Sequence, residues 1–193
     1  MTSKLLMRSI IIAVVVGTLV FITLGLLQPA QPSSALESHS INDKQAGVQV
    51  GLAKGNAAPN FTLTTTTGQK VSLSDYRGKP IMLNFWMINC EGCKYEMPEM
   101  QKIYDEQRAA HKDLVMLGID PADSSTESKQ FAQQHHFTYP MLVDIQSSVE
   151  QLYAVRGLPT SYFIDRKGII YTSNEGAYAE SALQQVIKQI SGQ

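Results

Sequence analysis

The chain has few cysteines and no excess of charge of either sign. Its 193 residues include two cysteines, and 16 basic side chains stand against 17 acidic ones, so the formal net charge is −1. A nucleic-acid-binding domain normally shows a basic excess or a basic stripe, so this balance argues against nucleic acid as a partner. Two cysteines are too few for a disulfide-stapled scaffold. A hydrophobic content of 44% is enough for an ordinary packed core.

Charge is absent altogether from a long stretch near the N-terminus. No charged residue lies between Arg8 and Glu37, and residues 9–27 are almost entirely apolar. As a helix this apolar run would be about 28 Å long, close to the roughly 30 Å hydrocarbon core of a bilayer. Lys4 and Arg8 precede it, so the positive-inside bias predicts a cytoplasmic N-terminus and an extracytoplasmic remainder. The sequence therefore predicts a single-pass cell-membrane protein.

The alternative for the same stretch is a cleaved signal peptide. The triplet Ser33-Ser34-Ala35 fits the small-residue cleavage site, but the apolar run is longer than such a peptide needs. No cysteine follows the run, which excludes a lipoprotein anchor. Residues 1–28 are thus predicted as a cytoplasmic stub and transmembrane signal-anchor. Residues 29–56, rich in Pro, Ser, Gln, Ala and Gly, are predicted as a flexible tether, and residues 57–193 as the folded domain.

Alternating strand and helix patterns run through the predicted domain. A hairpin is expected over residues 60–73, and short apolar runs predict strands at residues 81–86, 114–120 and 140–144. Helical spacing follows the cysteines to about His111 and recurs at residues 125–136, 149–153 and 180–190. Residues 160–165 and 168–173 flank a turn and read as a second hairpin. The pattern predicts an α/β fold with a mixed central sheet flanked by helices.

The two cysteines, Cys90 and Cys93, have the CxxC spacing, which several kinds of site share. A zinc site needs four ligands, and the four histidines are not spaced to complete one: His39, His111, His135 and His136. A copper carrier that uses both thiols and one distant histidine stays open. A purely structural disulfide would close a tiny loop and stabilise little. Reversible thiol–disulfide exchange makes the best use of this spacing, and the paired histidines are assigned to the polar end of a helix.

The cysteines directly follow a predicted buried strand and open the next helix. Free backbone N–H groups and the helix dipole at that end favour a thiolate. Lys94 is expected to act in the same direction and Glu91 against it. We therefore expect a nucleophile moderately more acidic than an ordinary cysteine.

Two stretches, "LNFWMINCEGCKYEMPEM" and "VRGLPTSYFID", resemble the membrane-anchored TlpA/ResA-like thiol–disulfide oxidoreductases of the thioredoxin superfamily. The resemblance extends over about residues 56–191 and rests on the strand–CxxC–helix unit with Pro98 in the helix and on the Gly-Leu-Pro-Thr stretch. It implies a thioredoxin-like fold with an extra N-terminal β-hairpin, preceded by one transmembrane helix.

The resemblance also implies a role for each matching residue at the catalytic centre. Cys90 would be the exposed nucleophile, and Cys93 the buried resolving thiol. Pro159 would follow a cis peptide bond beside the sulfurs. Glu96 matches an acidic residue one helical turn past the second cysteine; a solvated helix glutamate is the alternative.

The same resemblance places three residues at a substrate-binding surface. The Leu158 backbone would pair with a substrate strand. Thr160 and Trp86 are assigned to the same surface, and core packing is the alternative for Trp86.

The chain also departs from its relatives at three positions near the cysteines. Asn89 stands where many have tryptophan, and Gly92 where many have proline. Asn84 stands where thioredoxins have an aspartate, so that internal base is missing and Glu96 is the acidic candidate near Cys93.

The resemblance implies partners but no metal or organic cofactor. The partners are protein disulfides or dithiols, with apocytochrome c and its CxxCH thiols as one candidate, and a separate transmembrane thiol donor if the protein works as a reductant. Two other classes stay open. A peroxiredoxin-like peroxidase would normally carry a Pro-x-x-x-Thr-x-x-Cys setting, which is absent around Cys90. The other is a copper-binding chaperone.

Overall fold

A computed structural model describes residues 47–192, which belong to one compact unit. Its strands are β1 (Thr62–Thr65), β2 (Lys70–Ser72), β3 (Ile81–Phe85), β4 (Val115–Asp120), β5 (Met141–Val143), β6 (Thr160–Ile164) and β7 (Ile170–Glu175). Its α-helices are α1 (Glu91–Ala109), α2 (Ser125–Gln134), α3 (Ser148–Leu152) and α4 (Glu180–Ser191), and a 3₁₀ helix spans Leu73–Tyr76. Both predicted hairpins are present, as β1–β2 and β6–β7.

The strands form one mixed sheet in the order β2-β1-β5-β4-β3-β6-β7. Strands β3, β4 and β5 are parallel, whereas β1 pairs antiparallel with both β2 and β5. On the other side of β3, strands β6 and β7 continue the sheet in antiparallel fashion. The prediction of an α/β fold with a mixed central sheet is therefore confirmed.

Strand β3 lies inside the sheet and is buried along its whole length. Successive side chains point to opposite faces, so Met82 joins one apolar cluster and Leu83 and Phe85 join the other. A continuous apolar run is what a strand covered on both faces requires. Asn84 is the polar exception: it is fully buried and points to the same face as Met82.

Helix α1 covers the Met82 face of the sheet. Its buried residues Met97, Met100 and Ile103 recur at helical spacing and pack in the same cluster as Met82. Helices α2 and α4 contribute side chains to that cluster, whereas α3 and the 3₁₀ helix contribute to the one on the opposite face. This arrangement brings the first turn of α1 to the carboxyl end of β3.

Helix α2 is slightly shorter than the sequence pattern predicts. It begins with a capping box, in which Ser124 and Glu127 bond to each other's backbone N–H groups. It ends at Gln134, so the paired histidines follow the helix, and His136 has a left-handed backbone with φ of 58°. The two histidines therefore lie at the C-terminal end of the helix, as predicted, but just outside its last turn.

The tether predicted at residues 29–56 needs correction at its C-terminal end. Gln49 accepts a hydrogen bond from the Ala57 N–H at 2.9 Å, and Gly55 and Asn56 exchange two bonds with Ile170, each 2.9 Å long. These backbone bonds attach the segment to the start of β7, so the folded domain begins near residue 49. A pattern of small and polar residues does not reveal such pairing because the bonds involve only the main chain.

Within the described part of the chain, no helix has the length and apolar character needed to cross a bilayer. The predicted transmembrane segment at residues 9–27 lies outside the described residues.

The Tyr153→Phe substitution tests how the segment before β1 is attached to the domain. The buried Tyr153 hydroxyl donates a 2.7 Å hydrogen bond to the Pro59 carbonyl. Loss of this bond should lower the free energy of unfolding by about 1–2 kcal/mol, because a buried acceptor is left unpaired. Urea unfolding measures the change. As a control, Tyr171→Phe alters a half-buried tyrosine with no hydroxyl hydrogen bond among residues 47–192, and a loss as large as that of Tyr153→Phe would contradict this explanation.

Candidate active site

The two cysteines form a disulfide at the start of helix α1. Cys90 is the N-cap residue, and its sulfur accepts a hydrogen bond from the Cys93 N–H at 3.1 Å. Cys90 is 8% exposed and Cys93 only 1%. Cys93 is thus the more buried of the two residues and Cys90 the more exposed, although little of Cys90 reaches the surface. Their roles as resolving thiol and nucleophile stay a prediction.

The position of the Cys90 sulfur favours negative charge. In the reduced protein the same sulfur at the N-cap would face the free N–H groups and the positive end of the helix dipole, both of which stabilise a thiolate. The side chain of Lys94 forms an exposed ion pair with Glu91 at 3.0 Å. Because Lys94 and Glu91 are paired with each other, we expect the helix start to be the main source of thiolate stabilisation in the reduced protein.

Pro159 packs directly against the cysteine turn. The Leu158–Pro159 peptide bond is cis, as the resemblance implies. A Cβ atom on Gly92 would lie 3.1 Å from the Pro159 Cδ, closer than most such contacts. Glycine at the third motif position thus allows the loop before β6 to approach α1, a consequence that the sequence comparison with proline-containing relatives did not reveal.

The three residues predicted to bind substrate have different surroundings in the structure. Leu158 is half-buried and makes no backbone–backbone hydrogen bond among the described residues, so its backbone stays a candidate for pairing with a substrate. Thr160 is buried and donates its hydroxyl to the Gly157 carbonyl at 2.7 Å. Trp86 has no exposed surface and stacks on Phe131, so its assignment to the substrate surface is wrong; it is a core residue.

Glu96 lies one turn after Cys93 and is fully buried. Its Oε2 accepts a hydrogen bond from the Asn84 Nδ2 at 3.3 Å, and its Oε1 accepts one from the Tyr178 N–H at 3.3 Å. The alternative of a solvated helix glutamate is therefore wrong. Burial raises the pKa of Glu96 from 4.5 to about 7, while the bonds from Tyr178 and Asn84 act in the opposite direction. A carboxyl group with such a pKa can take up and release a proton near neutral pH.

Two polar contacts near the site were not predicted from the sequence. Ser161 on β6 lies opposite Asn84 in the strand register, and its Oγ accepts a hydrogen bond from the Asn84 Nδ2 at 3.0 Å. The Asp123 carboxylate accepts a 2.8 Å bond from the Ile88 N–H in the loop that leads to Cys90. The alternation of inward and outward side chains along β3 and β6 offered a signal for the contact between Asn84 and Ser161. The contact between Ile88 and Asp123 joins two loops 35 residues apart, and no local pattern indicates it.

Metal binding finds no support at this site in the described part of the chain. Residues 47–192 contain no group of three or more His, Cys, Asp or Glu side chains placed to hold an ion. His111, His135 and His136 are exposed, and His39 lies outside the described residues.

Comparisons with known proteins agree with this geometry. The profile of the AhpC/TSA family matches residues 54–173. The chain is 32% identical over 137 residues to the thiol-disulfide oxidoreductase ResA of Bacillus thuringiensis. This match covers 71% of the present chain and 78% of ResA. It is 35% identical over 138 residues to the thioredoxin-like protein YneN of Bacillus subtilis, a match that covers 71% of this chain and 80% of YneN. The crystal structure of a putative thiol:disulfide interchange protein DsbE from Chlorobium tepidum has a TM-score of 0.67 and 29% identity, covering 74% of this chain and 100% of that one.

The chain belongs to the AhpC/TSA family and is a ResA-like member of the thioredoxin superfamily. The thioredoxin-like fold and the activity expected from the sequence, thiol–disulfide oxidoreduction, are thereby confirmed. In this ResA-like chain the CxxC pair, the cis-proline and the buried glutamate lie together at one end of the sheet.

The raised pKa of Glu96 predicts a specific pH dependence of stability. Between pH 4.5 and about 7 the folded protein holds a proton on Glu96 that the unfolded chain has released. The resulting stabilisation is complete below the unfolded pKa and is lost as the pH rises through the folded pKa, a change of up to about 3 kcal/mol.

Glu96→Gln removes this titration. Urea unfolding of the oxidised wild type and of Glu96→Gln at pH 5, 7 and 9 should show the variant gaining stability relative to the wild type as pH rises. The comparison cancels other titrating groups, such as the buried Asp120, whose pKa is also raised by burial. A stability difference independent of pH would show that Glu96 does not titrate in this range.

Proposed function

We propose that this oxidoreductase works outside the cytoplasmic membrane, anchored through residues 9–27, as a reductant of protein disulfides. The observation that carries the proposal is the position of Cys90: its sulfur caps helix α1 beside Pro159, and the residue is more exposed than Cys93. Apolar residues 9–27, with Lys4 and Arg8 before them, support the location. The buried Glu96 supports a reaction in which Cys93 must lose a proton.

The reaction begins with the reduced protein. The Cys90 thiolate attacks one sulfur of a substrate disulfide, and its electron pair forms a mixed disulfide. The substrate S–S bond breaks, and its second sulfur leaves with the bonding pair and takes up a proton.

Cys93 then resolves the mixed disulfide. Its thiol transfers a proton to the Glu96 carboxylate, and its sulfur attacks the Cys90 sulfur. The Cys90–Cys93 disulfide forms, and the remaining substrate sulfur leaves as a thiolate, which takes up a proton. Two electrons have moved from the protein to the substrate, so each turnover consumes one dithiol.

Two partners follow from this direction of electron flow. The substrate is a protein disulfide, and we propose apocytochrome c, whose CxxCH cysteines must be reduced before haem attachment, as one example. A transmembrane thiol donor would restore the dithiol, because no cysteine lies within residues 9–27 to carry electrons across the bilayer.

Single cysteine substitutions test the order of attack. Cys90→Ser should abolish disulfide reduction, whereas Cys93→Ser should accumulate mixed disulfides that link Cys90 to substrate. Alkylation of the reduced wild type at limiting reagent, followed by mass spectrometry, should label Cys90 first, because helix-end electrostatics and exposure both favour it. Preferential labelling of Cys93 would reverse the assignment.

Two further measurements separate this function from its alternatives. The midpoint potential of the Cys90–Cys93 couple indicates the direction of electron flow: a strongly oxidising value would contradict a reductant. Rapid consumption of peroxide by the reduced protein would favour a thiol peroxidase, and stoichiometric Cu(I) binding that needs a histidine would favour a copper carrier.

Location is tested on intact cells and on membranes. Protease added to spheroplasts should digest the domain, and full-length protein should stay with the membranes after a carbonate wash, because an apolar helix of residues 9–27 would hold it in the bilayer. A cytoplasmic protein followed in the same samples provides the control for lysis. A soluble mature form that begins near Leu36 would establish a cleaved signal peptide instead.

A further inference from the structure

The Asn84 side chain makes two hydrogen bonds on one side and none on the other. Its Nδ2 donates to the Glu96 Oε2 at 3.3 Å and to the Ser161 Oγ at 3.0 Å. All three residues are almost completely buried, with exposures of 0%, 0% and 1%. The Asn84 Oδ1 is buried too but has no hydrogen-bond partner within the described residues. The amide therefore faces Glu96 and Ser161 with its donor end only.

This orientation suits a Glu96 carboxylate but not a carboxylic acid. Both carboxyl oxygens already accept a hydrogen bond, one from Asn84 and one from the Tyr178 N–H. A protonated carboxyl group gains an O–H donor that needs an acceptor. A proton placed on Oε2 at the site that now accepts from Asn84 would face the Asn84 N–H, donor against donor, in a buried site where an unmet donor is costly.

We propose that the Asn84 amide turns over by about half a turn when Glu96 takes up a proton. In one orientation Nδ2 donates to the carboxylate, and in the other Oδ1 accepts from the carboxylic acid. This inference rests on the proposed role of Glu96 as proton acceptor for Cys93. Asn84 is then a positioning residue that lets one buried site accommodate Glu96 in both protonation states.

Ser161 makes the turn feasible. A serine hydroxyl can donate or accept, so it accepts from Nδ2 in the first orientation and donates to Oδ1 in the second. The turn breaks no hydrogen bond of Oδ1, which is unpartnered within the described residues. It does move the two Nδ2 donors to that side, and their loss of an acceptor there weighs against the second orientation. An aspartate at this position would supply acceptors to the ionised glutamate and no donor, and its charge would repel that of Glu96.

The other titratable groups that face Glu96 do not change charge near pH 7 in the oxidised protein. Cys93, one turn earlier on α1, is held in the disulfide of the oxidised protein. The phenols of Tyr139, which precedes β5, and Tyr178, which precedes α4, have pKa values raised first by burial and second by the Glu96 charge. Both stay neutral near pH 7, so a transition of Asn84 in that range reports Glu96.

Wild-type protein provides the direct test. In full-length oxidised protein labelled with ¹³C and ¹⁵N, the Asn84 side-chain N–H signals should shift with a midpoint equal to that of the Glu96 carboxyl carbon, near pH 7. Nuclear Overhauser contacts between the Asn84 amide protons and the Ser161 β protons should be strong at high pH and lost at low pH. Glu96→Gln should abolish both changes. If the carboxyl carbon titrates while the Asn84 contacts stay constant, the amide does not turn and the inference is overturned.

Substitution of Asn84 tests the consequence for the reaction. Asn84→Leu keeps similar bulk and removes both functions of the amide. The pH profile for resolution of a mixed disulfide should move up by about half to one pH unit, because the bond to the carboxylate is stronger than the bond to the acid. In a Glu96→Gln background the same substitution should leave the profile unchanged, since Asn84 acts through Glu96.

A matched control separates this effect from a general loss of stability. Ser128→Ala removes another buried hydrogen bond, from the Ser128 hydroxyl to Asp120 at 2.6 Å, and should destabilise the fold without moving the profile. If Glu96→Gln alone leaves the profile as in wild type, the proposed role of Glu96 fails. If Glu96→Gln moves it but Asn84→Leu does not, only the role of Asn84 fails.

Discussion

The position of every group in the candidate active site depends on strand β3, which is paired along all five of its residues with both β4 and β6. The parallel partner β4 and the antiparallel partner β6 fix its register, so the chain leaves the sheet at a defined point after Phe85. Helix α1 begins soon after that point, at Glu91 with Cys90 as its N-cap, and Pro159 lies at the same end, directly before β6. Loss of this pairing would move the sulfurs, the proline and Glu96 relative to one another.

The site combines an accessible helix end for one sulfur with a dry interior for the other. Cys90 benefits from N–H groups at the start of α1, whereas Cys93 and Glu96 lie beneath it in surroundings that disfavour charge. A fully polar pocket would leave the glutamate ionised at all working pH values, and a fully apolar one would keep it protonated. The two N–H donors from Asn84 and Tyr178 hold it between these limits.

Local patterns predicted much of the fold, because strand and helix periodicity depends on neighbours in the sequence. The CxxC turn at the start of α1 followed from a buried strand ending before it, and the cis-proline from the resemblance. Contacts between distant segments were less accessible: Ser161 lies 77 residues from Asn84, and their contact follows only once the β3–β6 register is known. The assignment of Trp86 to the substrate surface was wrong because a tryptophan beside the cysteine turn fits either the rim of the site or the domain core. Its stacking on Phe131, which places it in the core, is not visible in the sequence.

The attachment of residues 49–57 has a mechanical consequence for this enzyme. These residues bond to the chain around Gly168–Ile170, where β7 begins, and in the β6–β7 register that is the end of the sheet at which β3 starts. The sulfurs lie at the other pole, about 15 Å away along the strands. The described segment before β1 is therefore bonded at the end of the sheet opposite Cys90, so a change in this attachment can reach the sulfurs only through the full length of the strands.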